Sequence, residues 1–211
     1  MGSLALAHNG TLVNAQILRD EMQDDGYIFQ TSIDTEIIAA LIAKHLRENT
    51  VEEAVSKACN TVKGAFALVI TTGEKLIGVR DPNGIRPLCL GKTASGYILS
   101  SESCVFPLQG ATYVRDIKPG EMVVIENNEI TSIMYNENAP RKVCSFEYVY
   151  FARTDSHMED KSIYMTRREA GRILARNDDV EADLVIAVPD SGTVAAIGYA
   201  EESGIPFGEG L

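Results

Sequence analysis

A chain of 211 residues, 45% of them apolar, is long enough to bury a sizeable core in one or two domains. Thirty acidic against nineteen basic residues give a net charge of -11, which opposes non-specific attraction to nucleic-acid phosphates. No apolar run approaches the roughly 20 residues that cross a bilayer, and Met1 to Ala7 carry no positive region ahead of an apolar segment, so no membrane partner and no targeting signal are expected. The four cysteines, Cys59, Cys89, Cys104 and Cys144, are widely spaced with no C-x-x-C pair. A reducing cytoplasm is the simplest reading, although a chain of this size carries disulfides without looking different.

In chain order, Leu4-Ala5-Leu6-Ala7 reads as a buried strand running into the turn residues His8-Asn9-Gly10 with no lead-in, which suggests a start inside a domain. A helix is predicted over 13–22, with Ile17, Leu18 and Met22 on one face, and Asp24-Asp25-Gly26 as its stop. Asp34 stands at the N-cap position of a second helix to about Leu46, and a third covers 51–59. From Ala65 to Ile130 short apolar runs at 66–71, 75–79, 87–90, 96–100, 112–114 and 121–125 alternate with turn signals and read as strands. The polar stretch 135–142 looks like a crossing between domains, which places a boundary at 138/139. Beyond it the grammar changes: a strand at 147–151, a helix at 167–175, a fully buried strand at 182–188 and a helix at 194–202. The fold class is therefore α+β followed by α/β, a layered domain over 1–138 and the beginning of a parallel-sheet domain over 139–211.

Two constellations in the first domain carry chemistry. A strand end offering an Asn side-chain N–H and a Gly backbone N–H, as at Asn9 and Gly10, stabilises an oxyanion at an amide carbonyl, although the same tripeptide by itself is also an ordinary turn. About twenty-five residues on, Asp34 in Asp34-Thr35-Glu36 either caps its helix or pairs with the α-ammonium of an amino acid.

With the elements between them, these pieces resemble the type-2 glutamine amidotransferases. In that family an N-terminal cysteine is both nucleophile and base, and the fold is an αββα-layered Ntn hydrolase. The resemblance implies an oxyanion hole at Asn9 and Gly10 and a glutamine amino-group site at Asp34, and it leaves His8 as a structural neighbour. Further segments narrow the choice: Arg80-Asp81-Pro82-Asn83-Gly84-Ile85-Arg86-Pro87-Leu88, Ser100-Ser101-Glu102-Ser103, Phe146 through Arg153, Val188-Pro189-Asp190-Ser191-Gly192 and Gly204-Ile205-Pro206. In that order they resemble the amidophosphoribosyltransferase family over essentially the whole chain. Departures are Thr11 where the family often has Asn, Thr154 where it usually has Pro, and Glu209 before Gly210-Leu211.

The resemblance implies hydrolysis of glutamine and transfer of its ammonia to phosphoribosyl diphosphate (PRPP), the opening step of purine synthesis. It also implies feedback by purine nucleotides, a homo-oligomer and a cytoplasmic location. Ser191 falls where the family's serine contributes to a Mg2+ site, and is otherwise a helix N-cap. Cys144 falls where some members bind a 4Fe-4S cluster, and is otherwise a structural thiol. Three further thiolates are needed, and Cys59, Cys89 and Cys104 are expected in the wrong domain. The sequence thus reads as an internal fragment without its nucleophile, inactive by itself. Another type-2 amidotransferase, or a non-catalytic PRPP-binding relative, stands as the alternative.

Overall fold

The computed structural model describes residues 4–211; Met1, Gly2 and Ser3, the start of the expected first domain and of the stretch without a targeting signal, lie outside them. Two compact units emerge. The first runs to Ser101 and resumes over Ala111–Val143; the second takes Glu102–Gly110 and Cys144–Leu211. The change of unit after Val143 lies five residues beyond the sequence-based boundary at 138/139. Cys104, expected in the first domain, belongs to the second unit.

In the first unit, β1 (Ala5–Leu12) leads through α1 (Ala15–Asp24), α2 (Asp34–His45) and α3 (Val51–Thr61) into β2 (Gly64–Thr71) and β3 (Lys75–Arg80). Strands β4 (Cys89–Lys92), β5 (Tyr97–Ser100), β6 (Thr112–Asp116), β7 (Glu121–Glu126) and β8 (Glu129–Met134) follow. An antiparallel five-stranded sheet has the order β1-β2-β3-β7-β8, and a three-stranded one the order β5-β4-β6. The α3 terminus is closed by a reciprocal capping box, Thr50 Oγ1 accepting from Glu53 N–H and Glu53 Oε2 from Thr50 N–H.

The continuous apolar runs of β2 and β7 follow from burial on both faces of the larger sheet. Phe66, Leu68, Ile70, Met122 and Val124 point at the helices, where Leu18, Met22, Ile37, Ile38, Leu41, Ile42, Val55 and Ala58 meet them. Ala67, Val123 and Ile125 point the other way and pack with Leu88, Leu90, Leu99 and Ile117 of the smaller sheet and its flanks. The stack is helices, sheet, sheet; the second helical layer of the expected αββα arrangement is not among the described residues.

Several sequence expectations for this unit are corrected. His8-Asn9-Gly10 is not a turn, because it pairs within β1 opposite Leu68, Ala67 and Phe66. Strand β1 is not buried throughout, since it forms an edge of the sheet. Ile17 is largely exposed because α1 turns only Leu18 and Met22 to the core. Asp81-Pro82-Asn83-Gly84, within the stretch of turn signals between the expected strands, does not join neighbours of one sheet, since β3 and β4 belong to different sheets. The loop carries the chain between them, held by the buried Asp81 carboxylate, which accepts from Asn83, Ile85 and Arg86 N–H. Arg80 in turn donates to the Gly84, Arg86 and Ile117 carbonyls. Strand β8 was not expected; its partly polar alternation is that of an outer strand.

The second unit contains α4 (Val105–Leu108), the short ribbons β9 (His157–Met158) and β10 (Lys161–Ser162), α5 (Ile163–Arg176), β11 (Val185–Ile186), α6 (Thr193–Ser203) and β12 (Phe207–Gly208). Helices α5 and α6 approach so closely that a Cβ at Gly171 would run into the Ala195 carbonyl, and one at Gly198 into that of Arg168. The expected parallel pairing appears between β11 and β12. The expected strand at 182–188 is reduced to two residues and is not buried: Leu184, Ile186 and Val188 are exposed, because among the described residues β11 has a strand neighbour on one side only.

Glu147–Phe151 is a π-helical turn, not a strand, with Ala152 N–H donating to the Glu147 carbonyl at 3.0 Å. The cause is the buried Arg167, whose guanidinium donates to the Tyr148 and Ala152 carbonyls and to Thr154 Oγ1. Carbonyls that a strand neighbour would bond are taken by one side chain, and this outweighs the β-propensity of the aromatic run. Residues 102–110 are held by similar means. Glu102 accepts from Arg153 N–H and Ser156 Oγ, and Ser103 Oγ bonds both the N–H and the carbonyl of His157.

Candidate active site

Pairing of β1 with β2 fixes which backbone groups of the edge strand remain available. Val13 N–H donates to the Lys63 carbonyl at 2.8 Å, in the register that sets Leu12 opposite Gly64. Leu12 N–H turns the other way and donates to Asp34 Oδ2 at 3.0 Å. By the two-residue alternation of an antiparallel ladder, Gly10 N–H also points away from β2, along an edge that no strand covers among the described residues. Gly10, at φ 145°, crosses Ala65 so closely that a Cβ would run into the Ala65 carbonyl oxygen; no other residue fits without displacing the strand. Side chains alternate as well. Leu6 and Leu12 face the helical core, placing His8 on that face and Asn9 on the opposite one. Asn9 is half-buried, and its amide has no hydrogen-bond partner among the described residues.

The three residues Asp34-Thr35-Glu36 tie the start of α2 to three neighbours. Asp34 is the first helical residue and Ile33 the N-cap, so the N-cap reading of Asp34 fails: its carboxylate reaches across to β1 instead. Thr35 Oγ1 lies 3.0 Å from His8 Nδ1, which is also 3.5 Å from Asp34 Oδ1. Glu36 accepts from Gln30 N–H, Thr31 N–H and Thr31 Oγ1, closing the loop before the helix and holding its own carboxyl below the usual range. Arg19 completes that loop by donating to the Thr31 and Ile33 carbonyls while stacking over Phe29. The Asp34 side chain is 22% exposed, so the anchored carboxylate still presents lone pairs to solvent.

His8 was set aside as a neighbour in sequence terms, yet the structure puts it at the centre of this group. Its side chain is only 2% exposed, and Nε2 has no partner among the described residues. Burial lowers its pKa, Asp34 opposes that shift and Arg86 adds to it, so the ring is held neutral. An amide-stabilising edge beside an anchored carboxylate suits a small amino-acid amide.

A family model described as a glutamine amidotransferase domain matches residues 1–107, a span that holds the β1 edge and Asp34. The chain belongs to the glutamine amidotransferase domain family. Within it, the chain resembles amidophosphoribosyltransferases along its full length. It is 45% identical over 210 residues to that of Bacillus subtilis, covering 100% of this chain and 44% of the relative. With that of Archaeoglobus fulgidus it shares 44% over 211 residues, covering 100% of this chain and 46% of the relative. The solved glutamine PRPP amidotransferase from B. subtilis, complexed with ADP and GMP, superposes with a TM-score of 0.95 at 45% identity, over 99% of this chain and 46% of that one. The chain therefore spans less than half the length of the curated relatives it matches.

The other expected site residues belong to the second unit and are not part of this group. Ser191 and Asp190 line an open pocket of about 670 Å3 with Phe151, Arg153, Asp155 and Tyr164. Ser191 is not an N-cap, because Gly192 takes that position without a side-chain bond. Mg2+ keeps most of its water shell and is held by one or two protein oxygens together with substrate phosphates, so Asp190, Ser191 and Asp155 would supply only part of its coordination. Cys144 is half-exposed, and no group of three His, Cys, Asp or Glu residues among the described residues is placed to hold a metal. A single thiolate does not make a cluster site, so the residues present do not fit a 4Fe-4S group.

Proposed function

We propose that this amidotransferase domain binds L-glutamine along the β1 edge and belongs to an amidophosphoribosyltransferase. Asp34 receives the α-ammonium, and Gly10 N–H with the Asn9 side-chain amide receives the oxyanion. The observation that carries the reading is the open edge at Gly10, next to an unpartnered Asn9 amide and a few residues from the Asp34 carboxylate that Leu12 N–H anchors.

In this reading a cysteine thiolate adds to the side-chain carbonyl carbon of glutamine, and the C=O electron pair moves onto oxygen, where the two donors hold it. Collapse expels the protonated nitrogen as ammonia and leaves a thioester, which water cleaves to glutamate. Ammonia then attacks C1 of PRPP and displaces diphosphate, giving 5-phosphoribosylamine. None of the four cysteines of this chain lies in β1 or α2. Burial in α3 pushes the Cys59 thiol up to about 12, and Cys89 donates to the Ser100 carbonyl. The thiolate is accordingly assigned to a residue outside these 211.

The second unit is read as part of the phosphoribosyl-transferring half. Its support is the resemblance that continues through residues 139–211 to proteins named for that reaction. Purine nucleotides are the proposed feedback ligands, as the ADP and GMP complex of the B. subtilis protein suggests. A cytoplasmic homo-oligomer using Mg2+ is part of the same proposal. In the full-length protein, Asn9→Ala should lower the glutamine-dependent rate by roughly 10²–10³-fold while ammonium-dependent phosphoribosylamine formation persists. An equal loss of both rates, or no loss of either, would remove Asn9 from the oxyanion site. Absence of both rates in the wild type, with PRPP still bound, would favour a non-catalytic relative.

A further inference from the structure

His8 has an environment that packing alone does not explain. A core histidine is normally satisfied at both nitrogens, and a buried acceptor without a partner is destabilising. Here Nε2 is that orphan, and among the described residues the polar contacts of the ring are all at Nδ1: Thr35 Oγ1 at 3.0 Å and Asp34 Oδ1 at 3.5 Å. A threonine hydroxyl and a carboxylate beside one nitrogen select the tautomer with its proton on Nδ1, which leaves the lone pair on the orphaned side. The proton therefore lies in the hydrogen bond to Thr35 Oγ1 and faces, at 3.5 Å, the Asp34 oxygen that Leu12 N–H does not hold.

We propose that His8 is a positioning residue for substrate recognition: its Nδ1–H, bonded to Thr35 Oγ1 and turned toward Asp34 Oδ1, attracts that oxygen and so orients the Asp34 carboxylate for its remaining lone pairs to meet the α-ammonium of glutamine. This rests on the glutamine reading above. Two anchors, one from the β1 backbone and one from the His8 ring, hold a carboxylate that has a single side-chain torsion next to its backbone and one at its head. Without the second anchor the head rotates about the Leu12 bond, and the ammonium must bear the cost of ordering it. Burial, opposed by Asp34 and reinforced by Arg86, keeps the ring neutral, so that it orients the carboxylate without neutralising it.

The test uses the full-length protein and two substrates, L-glutamine and its des-amino analogue 4-carbamoylbutanoate, which lacks the α-ammonium. Loss of the ring dipole that orients the Asp34 carboxylate predicts a roughly tenfold rise in KM for glutamine in His8→Ala, with a smaller change in kcat. KM for the des-amino analogue should stay within about twofold of wild type, since that substrate makes no use of Asp34. His8→Asn, whose amide nitrogen reaches the place of Nδ1, should recover most of the glutamine KM; His8→Gln, whose amide reaches the place of Nε2, should not. Equal KM changes for both substrates, or Asn and Gln variants that behave alike, would reduce His8 to a core residue and overturn the proposal. If His8→Ala fails to fold, the Asn and Gln pair still decides. A wild type that releases no glutamate from glutamine would instead bring down the underlying reading, and that result is visible before any variant is made.

Discussion

The two units are held together by different means. Around the five-stranded sheet, apolar side chains close on both faces, with Phe66, Leu68 and Ile70 toward the helices and Ala67, Val123 and Ile125 toward the second sheet. In the unit around α5 and α6, much of the holding is polar: Arg167 on the π-turn carbonyls, Glu102 on Arg153 and Ser156, and Arg168, Arg172 and Arg176 on Glu201 and Glu202. Apolar groups such as Phe146, Tyr150, Val188 and Leu184 remain exposed there. The edge proposed to receive glutamine needs a fixed backbone, and the doubly covered sheet provides one for Gly10; a polar network fixes particular carbonyls and gives less overall cohesion.

Phe66→Ala is the strongest test of this contrast. It should destabilise the first unit by about 3–5 kcal/mol, read as loss of hydrogen-exchange protection in β2 and β3, with the second unit keeping its protection. Next in size, Arg167→Met leaves the Tyr148 and Ala152 carbonyls without their donor and should cost about 2–4 kcal/mol, confined to the π-turn and α5 in the same measurement. A loss spread over both units in either case would break the distinction.

Two smaller effects sharpen it. The folded-state pKa of His8 lies below its unfolded value, so between the two the unfolded chain binds more protons. Its contribution is present above the unfolded value of about 6.5 and is lost as pH falls through the folded value. Urea midpoints measured from pH 7.5 down to 5 should therefore fall less steeply in His8→Asn than in wild type. The smallest effect belongs to the exposed pair Arg176 and Glu202, where Glu202→Gln should shift the midpoint slightly at low salt and not at all at high salt.

Legibility in the sequence followed the same divide. Where structure rests on apolar patterning, as in α2, α3, β2, β3 and β7, the elements are readable within a few residues of their ends. Where one side chain decides, they are not: nothing in Phe146 to Phe151 announces that Arg167, many residues later, will take its carbonyls. Asn9, Gly10 and Asp34, the residues of the proposed site, were singled out in the sequence, but their geometry was not readable there. The tripeptide looked like a turn because Asn-Gly usually is one, and it is a strand because β1 pairs with β2 along its whole length, with Gly10 opposite Phe66 and close against Ala65. Asp34 looked like a cap because a carboxylate at a helix start ordinarily caps. His8 could have been suspected only from its side-chain contact with Thr35 of α2, which the fold alone brings about.

The nine residues Glu102–Gly110 leave the first unit after Ser101 and re-enter it at Ala111, so the chain passes between the units three times. A protease nick after Val143 breaks one of those passages and leaves two. The cleaved protein would still migrate as a single species until denatured, because the segment anchored by Glu102 and Ser103 stays covalently part of one fragment while bonded within the other. Dividing this molecule into two independent halves requires re-routing the chain as well as cutting it.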